Sequence, residues 1–306
     1  MSEATSRPTP LRVAVTGSSG LIGSELTRRL EAEGHTVLRL VRRPPRGAGE
    51  VEWNPEGRTD AAALEGVDAV VNLAGENVGE RWTAERKRRI RESRVEGTRR
   101  LAEALAGLSA RPKVLVNASG VGIYGDRGDE RLDEMSSHGD DFLARVVRDW
   151  EAAAEPARDA GVRVVLLRLG VVLSARGGAL ATMLPPFRLG AGGTMGSGRQ
   201  WMSWIALDDV VDLILKSLTD EALAGPVNAV AGSVTNAEFT RTLGRVLGRP
   251  TLMTVPTFAL KLAFGEMAGG TILISQRVEQ RRLMQLGYSF RHPELEGALR
   301  AALAEG

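Results

Sequence analysis

An α/β fold with a doubly wound parallel sheet is what this sequence predicts, on three observations. Short apolar runs alternate with amphipathic stretches of helical period along most of the 306 residues. That is the pattern of strands buried on both faces and covered by helices. The first run, Val13-Ala14-Val15, ends in a turn, Thr16–Gly23, that carries glycines at 17, 20 and 23. An amphipathic segment follows at once, so strand, tight turn and helix start stand in the order a dinucleotide-binding βα unit requires.

In such a unit Gly17 permits the sharp turn, Gly20 lets backbone approach a pyrophosphate, and Gly23 lets the helix pack on the strand. Ser19, Leu21 and Ile22 complete the expected phosphate-facing set, because the free N–H groups and positive dipole end of the helix point there. The alternative is a structural glycine turn with no ligand.

The second strand is predicted at Thr36–Val41 and runs into Arg42-Arg43-Pro44-Pro45. The residue just past this strand meets the adenosine ribose; an acid there binds the 2′-hydroxyl of NAD, whereas an arginine accommodates the 2′-phosphate of NADP. Arg42 and Arg43 stand there without a carboxylate, and guanidinium geometry matches phosphate. The expected cofactor is therefore NADP(H) in preference to NAD(H), unless these arginines only solvate a loop.

A short strand is expected near Val51 and a helical scrap at Ala61–Leu64. The strand Val67–Leu73 delivers Leu73, Ala74, Gly75 and Glu76 to the carboxyl edge of the sheet, where ligands of open α/β sheets bind. Glu76 is there either a site residue or a cap. A long charged helix spans Thr83–Leu108, and the strand Lys113–Ala118 leads into Ser119-Gly120-Val121-Gly122-Ile123-Tyr124. Helix is predicted from Gly139 to Ala160, with a kink or early end at Pro156. The strand Val162–Leu169 follows, and Ala118, Ser119, Gly170 and Val171 join the cofactor-lining set.

Leu189–Gly198 reads as a mobile glycine-rich loop. A helix is expected from Asp208 to Leu218, a strand at Val227–Val230, and a helix at Asn236–Leu247 with Asn236 as its N-cap. The expected division is a disordered tail over 1–10, a Rossmann-type domain over 11–235, and a smaller helical or mixed C-terminal region over 236–306.

Composition narrows the function classes. Cysteine is absent, which removes disulfides, thiolate metal sites and cysteine nucleophiles and agrees with a cytoplasmic location. No apolar run approaches about 18 residues, so no membrane helix is expected. The net charge is only +2. The densest basic run, Arg86-Lys87-Arg88-Arg89-Ile90-Arg91, is interleaved with Glu85, Glu92 and Glu96, so a salt-bridged helix face is favoured over a nucleic-acid patch. A small-molecule substrate is the expected partner, and the long helices offer a surface for a homodimer.

The motifs TGSSGLIG (Thr16–Gly23), NLAGE (Asn72–Glu76), ASGVGIYG (Ala118–Gly125), LRLGVVL (Leu167–Leu173) and SWIALDDV (Ser203–Val210) are set out along the chain. On these the sequence resembles the short-chain dehydrogenase/reductase superfamily, in its extended, epimerase-like branch. RWTAERKRRIRESRVEGT (Arg81–Thr98), DFLARVVRDWE (Asp141–Glu151), GSGRQWMSWI (Gly196–Ile205) and SQRVEQRRLMQLGYSF (Ser275–Phe290) are similar to an atypical subfamily of epimerase family proteins with a short C-terminal domain. The resemblance covers nearly the whole chain after residue 10. It implies a Rossmann-type fold, a nicotinamide cofactor and oxidoreductase or epimerase-like chemistry.

The resemblance also implies a Ser–Tyr–Lys constellation, and here the sequence departs. Ser119 matches the serine. Leu143 stands where the tyrosine is expected and Val147 where the lysine is expected, taking Glu151 as the anchor, and no lysine occurs from Val114 to Leu215. A tyrosine without such help is a poor base at neutral pH. Substitutes for catalysis are Ser119, Tyr124 and Glu76. Lys87, Arg199, Trp201 and Trp204 are substrate-side candidates, the last three behind the glycine-rich loop. His138 and the acids Asp126, Asp129, Glu130, Asp133 and Glu134 have no metal-binding spacing, so no metal is expected. The alternative function is an NADP(H)-dependent sensor with little turnover.

Overall fold

The computed structural model describes residues 9–55 and 60–304; the tail expected over 1–10 lies largely outside them. Its strands are β1 (Arg12–Thr16), β2 (Thr36–Val41), β3 (Glu50–Glu52), β4 (Ala69–Asn72), β5 (Val114–Gly120), β6 (Arg131–Leu132) and β7 (Arg163–Leu169). They continue with β8 (Val171–Leu173), β9 (Gly193–Met195), β10 (Trp201–Ala206), β11 (Gly225–Ala229), β12 (Gly232–Thr235), β13 (Met253–Val255) and β14 (Arg277–Val278). The helices are α1 (Leu21–Ala32), α2 (Ala84–Ala106), α3 (Phe142–Ala152), α4 (Glu155–Asp159) and α5 (Gly178–Arg188), then α6 (Leu207–Thr219), α7 (Asn236–Leu247), α8 (Thr257–Phe264), α9 (Arg281–Gln285) and α10 (Leu295–Ala304).

Seven strands form one sheet in the order β3-β2-β1-β4-β5-β7-β11, and every neighbouring pair is parallel. The chain winds outward from β1 to β3, then returns to β4 on the other side of β1. This reversal opens a crevice beyond the carboxyl ends of β1 and β4, where open α/β sheets bind ligands.

Side chains of successive strand residues point to opposite faces, and both faces are covered. Val13, Val15, Val114, Val116, Val165 and Leu167 enter one core layer. Ala14, Leu115, Val164 and Leu166 enter the other. The near-continuous apolar strands are thus explained by helices on both sides. The C-terminal region is continuous with the first layer: Leu283 of α9 and Leu295, Ala298, Leu299 and Ala302 of α10 are buried in it.

Three local expectations are corrected. Leu189–Gly198 is not an unstructured loop, since β9 lies inside it and pairs in parallel with β13. Gly193 permits that pairing, because a Cβ there would lie 2.2 Å from the Met253 carbonyl oxygen. The helix expected over 139–160 is two helices, and Pro156 sits in the first turn of α4, where no N–H is needed. The N-cap of α7 is Thr235, whose hydroxyl accepts from the Glu238 N–H at 3.2 Å; the Asn236 side chain instead accepts from the Met195 N–H at 2.8 Å.

Candidate functional site

The crevice holds a cavity of about 480 Å³, lined at one end by Gly20, Leu21, Ile22 and Gly23 and at the other by Ala118, Ser119 and residues of α3. Between them lie Leu73, Ala74 and Gly75 at the end of β4. The turn is shaped by steric need at two glycines. Gly17 has φ +64°, and a Cβ there would press on the Leu73 carbonyl group at 2.9 Å. A Cβ on Gly23 would lie 2.2 Å from the Gly17 oxygen. A Cβ on Gly20, by contrast, would meet only the Gly17 oxygen, at 3.3 Å. Gly20 therefore keeps bare backbone toward the cavity. It is also the N-cap of α1, with no side chain closing the helix's first N–H groups and no acid in the first turn. That end is free to receive an anion.

Thr16 fixes the two strand ends that border the crevice. Its hydroxyl donates to Asn72 Oδ1 at 2.6 Å and accepts from the N–H groups of Leu73 and Ala74 at 3.0 and 3.1 Å. Asn72 Nδ2 donates to Thr98 of α2 and Asn117 of β5 at 2.8 and 2.6 Å. Trp150 Nε1 of α3 donates to the same Thr98 hydroxyl at 2.8 Å. Three strands (β1, β4 and β5), α2 and α3 are thus held in one buried polar chain around the cavity floor.

Ser119 heads a second chain. Glu151 as a carboxylate can only accept, so the Ser119 hydroxyl donates to Glu151 Oε1, at 2.6 Å. Arg168 grips Glu151 with two bonds of 2.8 Å, Nε to Oε1 and Nη2 to Oε2. Arg168 Nη1 donates to the Tyr124 hydroxyl at 3.0 Å, which in turn donates to Asn228 Oδ1 at 2.7 Å. Burial opposes the charge of Arg168, but the Glu151 bonds outweigh it and hold its pKa above the ordinary value. Burial raises the Tyr124 pKa despite the nearby Arg168 charge.

α3 turns Leu143 and Val147 into the cavity, with Trp150 one turn further on. The spacing of four and three residues places them on one helix face, so this wall of the cavity is apolar.

Several expected residues lie elsewhere. Tyr124 is fully buried and its hydroxyl is used by Arg168 and Asn228, so it packs behind Ser119 and does not line the cavity. Glu76 turns away to Arg86, at 2.5 Å. Lys87 pairs with Glu266 at 2.8 Å and lies over the Phe142 ring. Trp204 is a core residue, 2% exposed, because β10 packs beside β8. Trp201 donates from Nε1 to Asp129 at 2.8 Å under the Arg277 guanidinium. Arg199 is exposed two residues before β10. Neither Trp201 nor Arg199 borders the cavity. Ser19 is exposed, and Gly170 and Val171 lie in the chain between the lining residues Leu169 and Val172 without bordering the cavity themselves. Arg43 is held by Glu50 through two bonds of 2.8 and 2.6 Å, which leaves the exposed Arg42 as the available arginine past β2.

The basic run of α2 is matched by acids. Arg86 bonds Glu76 and Glu80, Arg88 bonds Glu85 and Glu92, and Arg91 bonds Asp149. Arg94, Glu151 and Arg168 were not singled out as site residues from sequence. Only Glu151 left a signal, standing one turn past Val147 on the helix that faces Ser119.

Residues 13–230 match the NAD dependent epimerase/dehydratase family. The chain belongs to that family. Residues 255–302 match a domain of unknown function, DUF1731. Epimerase family protein MT2273 of Mycobacterium tuberculosis is 48% identical over 290 residues, covering 94% of this chain and 96% of that protein. Human epimerase family protein SDR39U1 is 39% identical, covering 96% of this chain and 100% of that protein. The crystal structure of human SDR39U1 (isoform 2) with NADPH is similar to this epimerase-family chain with a TM-score of 0.89, covering 97% of this chain and 100% of that one. A Corynebacterium glutamicum protein described as a nucleoside-diphosphate sugar epimerase gives a TM-score of 0.80 at 41% identity, over 97% of this chain and 59% of that one.

Proposed function

We propose that this epimerase-family protein binds NADP(H) in preference to NAD(H) and acts as an oxidoreductase on a small carbonyl or hydroxyl compound. The observation that carries the reading is one continuous cavity from the open N-terminus of α1 to Ser119, whose hydroxyl proton is already committed to Glu151. The human relative solved with NADPH supports the cofactor, and the exposed Arg42 past β2 supports the phosphorylated form.

When bound, the cofactor would supply or accept hydride. The chain's own part is proton handling. In the oxidation direction the substrate hydroxyl passes its proton to Ser119 Oγ as the Ser119 proton moves to Glu151 Oε1; reduction runs the same transfers backward. Arg168 fixes the carboxylate for this exchange.

Saturable NADPH binding with weaker NADH binding, together with carbonyl reduction abolished by Ser119→Ala, is the expected result. Equal affinity for both cofactors overturns the preference. A second reading, a cofactor-dependent sensor, is favoured by the apolar Leu143 and Val147 in the cavity wall. NADPH binding without turnover across a broad carbonyl panel would decide for it.

A further inference from the structure

Two polar side chains line the cavity among the described residues, Ser119 and Arg94. No carboxylate, amide or imidazole joins them, and Val78, Val121, Leu143, Val147, Trp150 and Val172 supply an apolar surround. A polyhydroxylated sugar would leave most of its hydroxyls unpaired there, at a cost for each desolvated group. The wall suits an apolar body.

Arg94 is the anomaly in that wall. Its Nη1 donates to the main-chain oxygens of Glu76 and Ile90, at 2.9 and 3.2 Å. Its guanidinium lies 5.1 Å from the Trp150 ring. Gly75 makes room for it, since a Cβ there would meet Arg94 Cζ and Nη2 at 3.1 Å. Among the described residues Nε and Nη2 have no protein acceptor, and no carboxylate pairs with Arg94; the nearby Glu76 is bound by Arg86. Its neighbours on α2 (Arg86, Lys87, Arg88 and Arg91) each hold a carboxylate. Burial lowers the Arg94 pKa to about 10 although the Glu76 charge opposes the fall, so Arg94 remains a half-buried cation at neutral pH, and the one acid near it is already bonded to Arg86.

We infer that Arg94 receives the carboxylate of an otherwise apolar substrate, whose reacting oxygen then meets Ser119. Two features place this anion on the substrate side. The uncapped start of α1 is the end suited to the cofactor's phosphates on the proposed reading. Arg94 instead stacks on Trp150, which packs with Ala118 in the cluster next to Ser119. The inference rests on the cavity being the reaction site, and it names the substrate class: hydroxy or oxo acids with an apolar tail.

The test is titration calorimetry of the full chain with phenylpyruvate, 4-methyl-2-oxopentanoate and the methyl ester of each, in the presence and absence of saturating NADPH. The acids are expected to bind about tenfold or more tightly than the esters, the usual scale of a charge-assisted pair. Arg94→Met should erase that difference while NADPH affinity stays within about twofold. Arg94→Lys, which keeps the charge and loses the fork, should retain part of it and guards against a folding defect. Equal binding of acid and ester, or no binding of either, overturns the inference. So does a loss of NADPH affinity in Arg94→Met with acid binding intact, which would assign Arg94 to the cofactor's pyrophosphate. Failure of the wild type to bind NADPH would instead strike the cofactor reading, and the titrations without cofactor would still judge Arg94.

Discussion

Replacing Glu151 by glutamine tests whether the Ser119–Glu151–Arg168 chain is the organising feature of the site. The carboxylate accepts one bond of 2.6 Å from Ser119 and two of 2.8 Å from Arg168. Both charged side chains are withdrawn from water, at 3% exposure for Arg168 and 10% for Glu151. Glutamine keeps one acceptor oxygen but turns an NH2 group toward a donor, so at least one Arg168 bond is lost and the cation loses its counter-charge. Breaking a buried pair on one side costs about 3–5 kcal/mol. The retained acceptor offsets part of this, so a loss of about 3 kcal/mol is expected at neutral pH. Urea unfolding followed by far-ultraviolet circular dichroism reads it as a lower midpoint at unchanged slope. Ser119→Ala removes one hydroxyl bond to a charged group and should cost about 1.5–3 kcal/mol. The double variant should cost less than the sum, because both changes act on one partner. A Glu151→Gln loss below about 1 kcal/mol, or strict additivity, would refute the view that Glu151 is the node joining Ser119 to Arg168.

Other outcomes follow from the same geometry. Gly23→Ala drives a Cβ onto the Gly17 backbone at 2.2 Å; it should lower stability by about 1–3 kcal/mol and abolish NADPH binding, as read by thermal melting and titration. Arg42→Ala should weaken NADPH about tenfold and leave NADH unchanged, whereas Arg43→Ala, whose guanidinium is held by Glu50, should affect the two cofactors alike. Burial and then the Arg168 charge lower the His138 pKa below 6.5. As pH falls, the unfolded chain takes up that proton first, so the His138 contribution is complete above pH 6.5 and declines below it. His138→Asn should flatten that part of the dependence when unfolding midpoints near about pH 7.5 and about pH 5.5 are compared.

What the sequence determined is local and periodic. Apolar runs of strand length, amphipathic segments between them and glycines at 17, 20 and 23 follow from backbone sterics and burial periodicity. They were enough for the succession of the main strands along the chain and for the glycine turn before α1, whereas the order of strands in the sheet came from the fold. The helix that carries Leu143, Val147 and Glu151 was equally legible, because their spacing of four residues puts them on one face.

Side-chain direction was decided only in three dimensions. Tyr124 is a few residues from Ser119 in sequence, yet its hydroxyl is consumed by Arg168 and Asn228, which come from β7 and β11. Trp204 follows the glycine-rich segment but is turned into the core by the β8–β10 pairing. Glu76 stands at the right strand end and is drawn away by Arg86. Arg94 is indistinguishable in sequence from the arginines around it; only packing against Gly75 and Trp150 separates the one cation that lines the cavity among the described residues from those bonded to acids. The physical reason is range. Turns and periodicity are set by neighbours a few residues apart, whereas charge partners, burial and the lining of a cavity are set by residues tens of positions away.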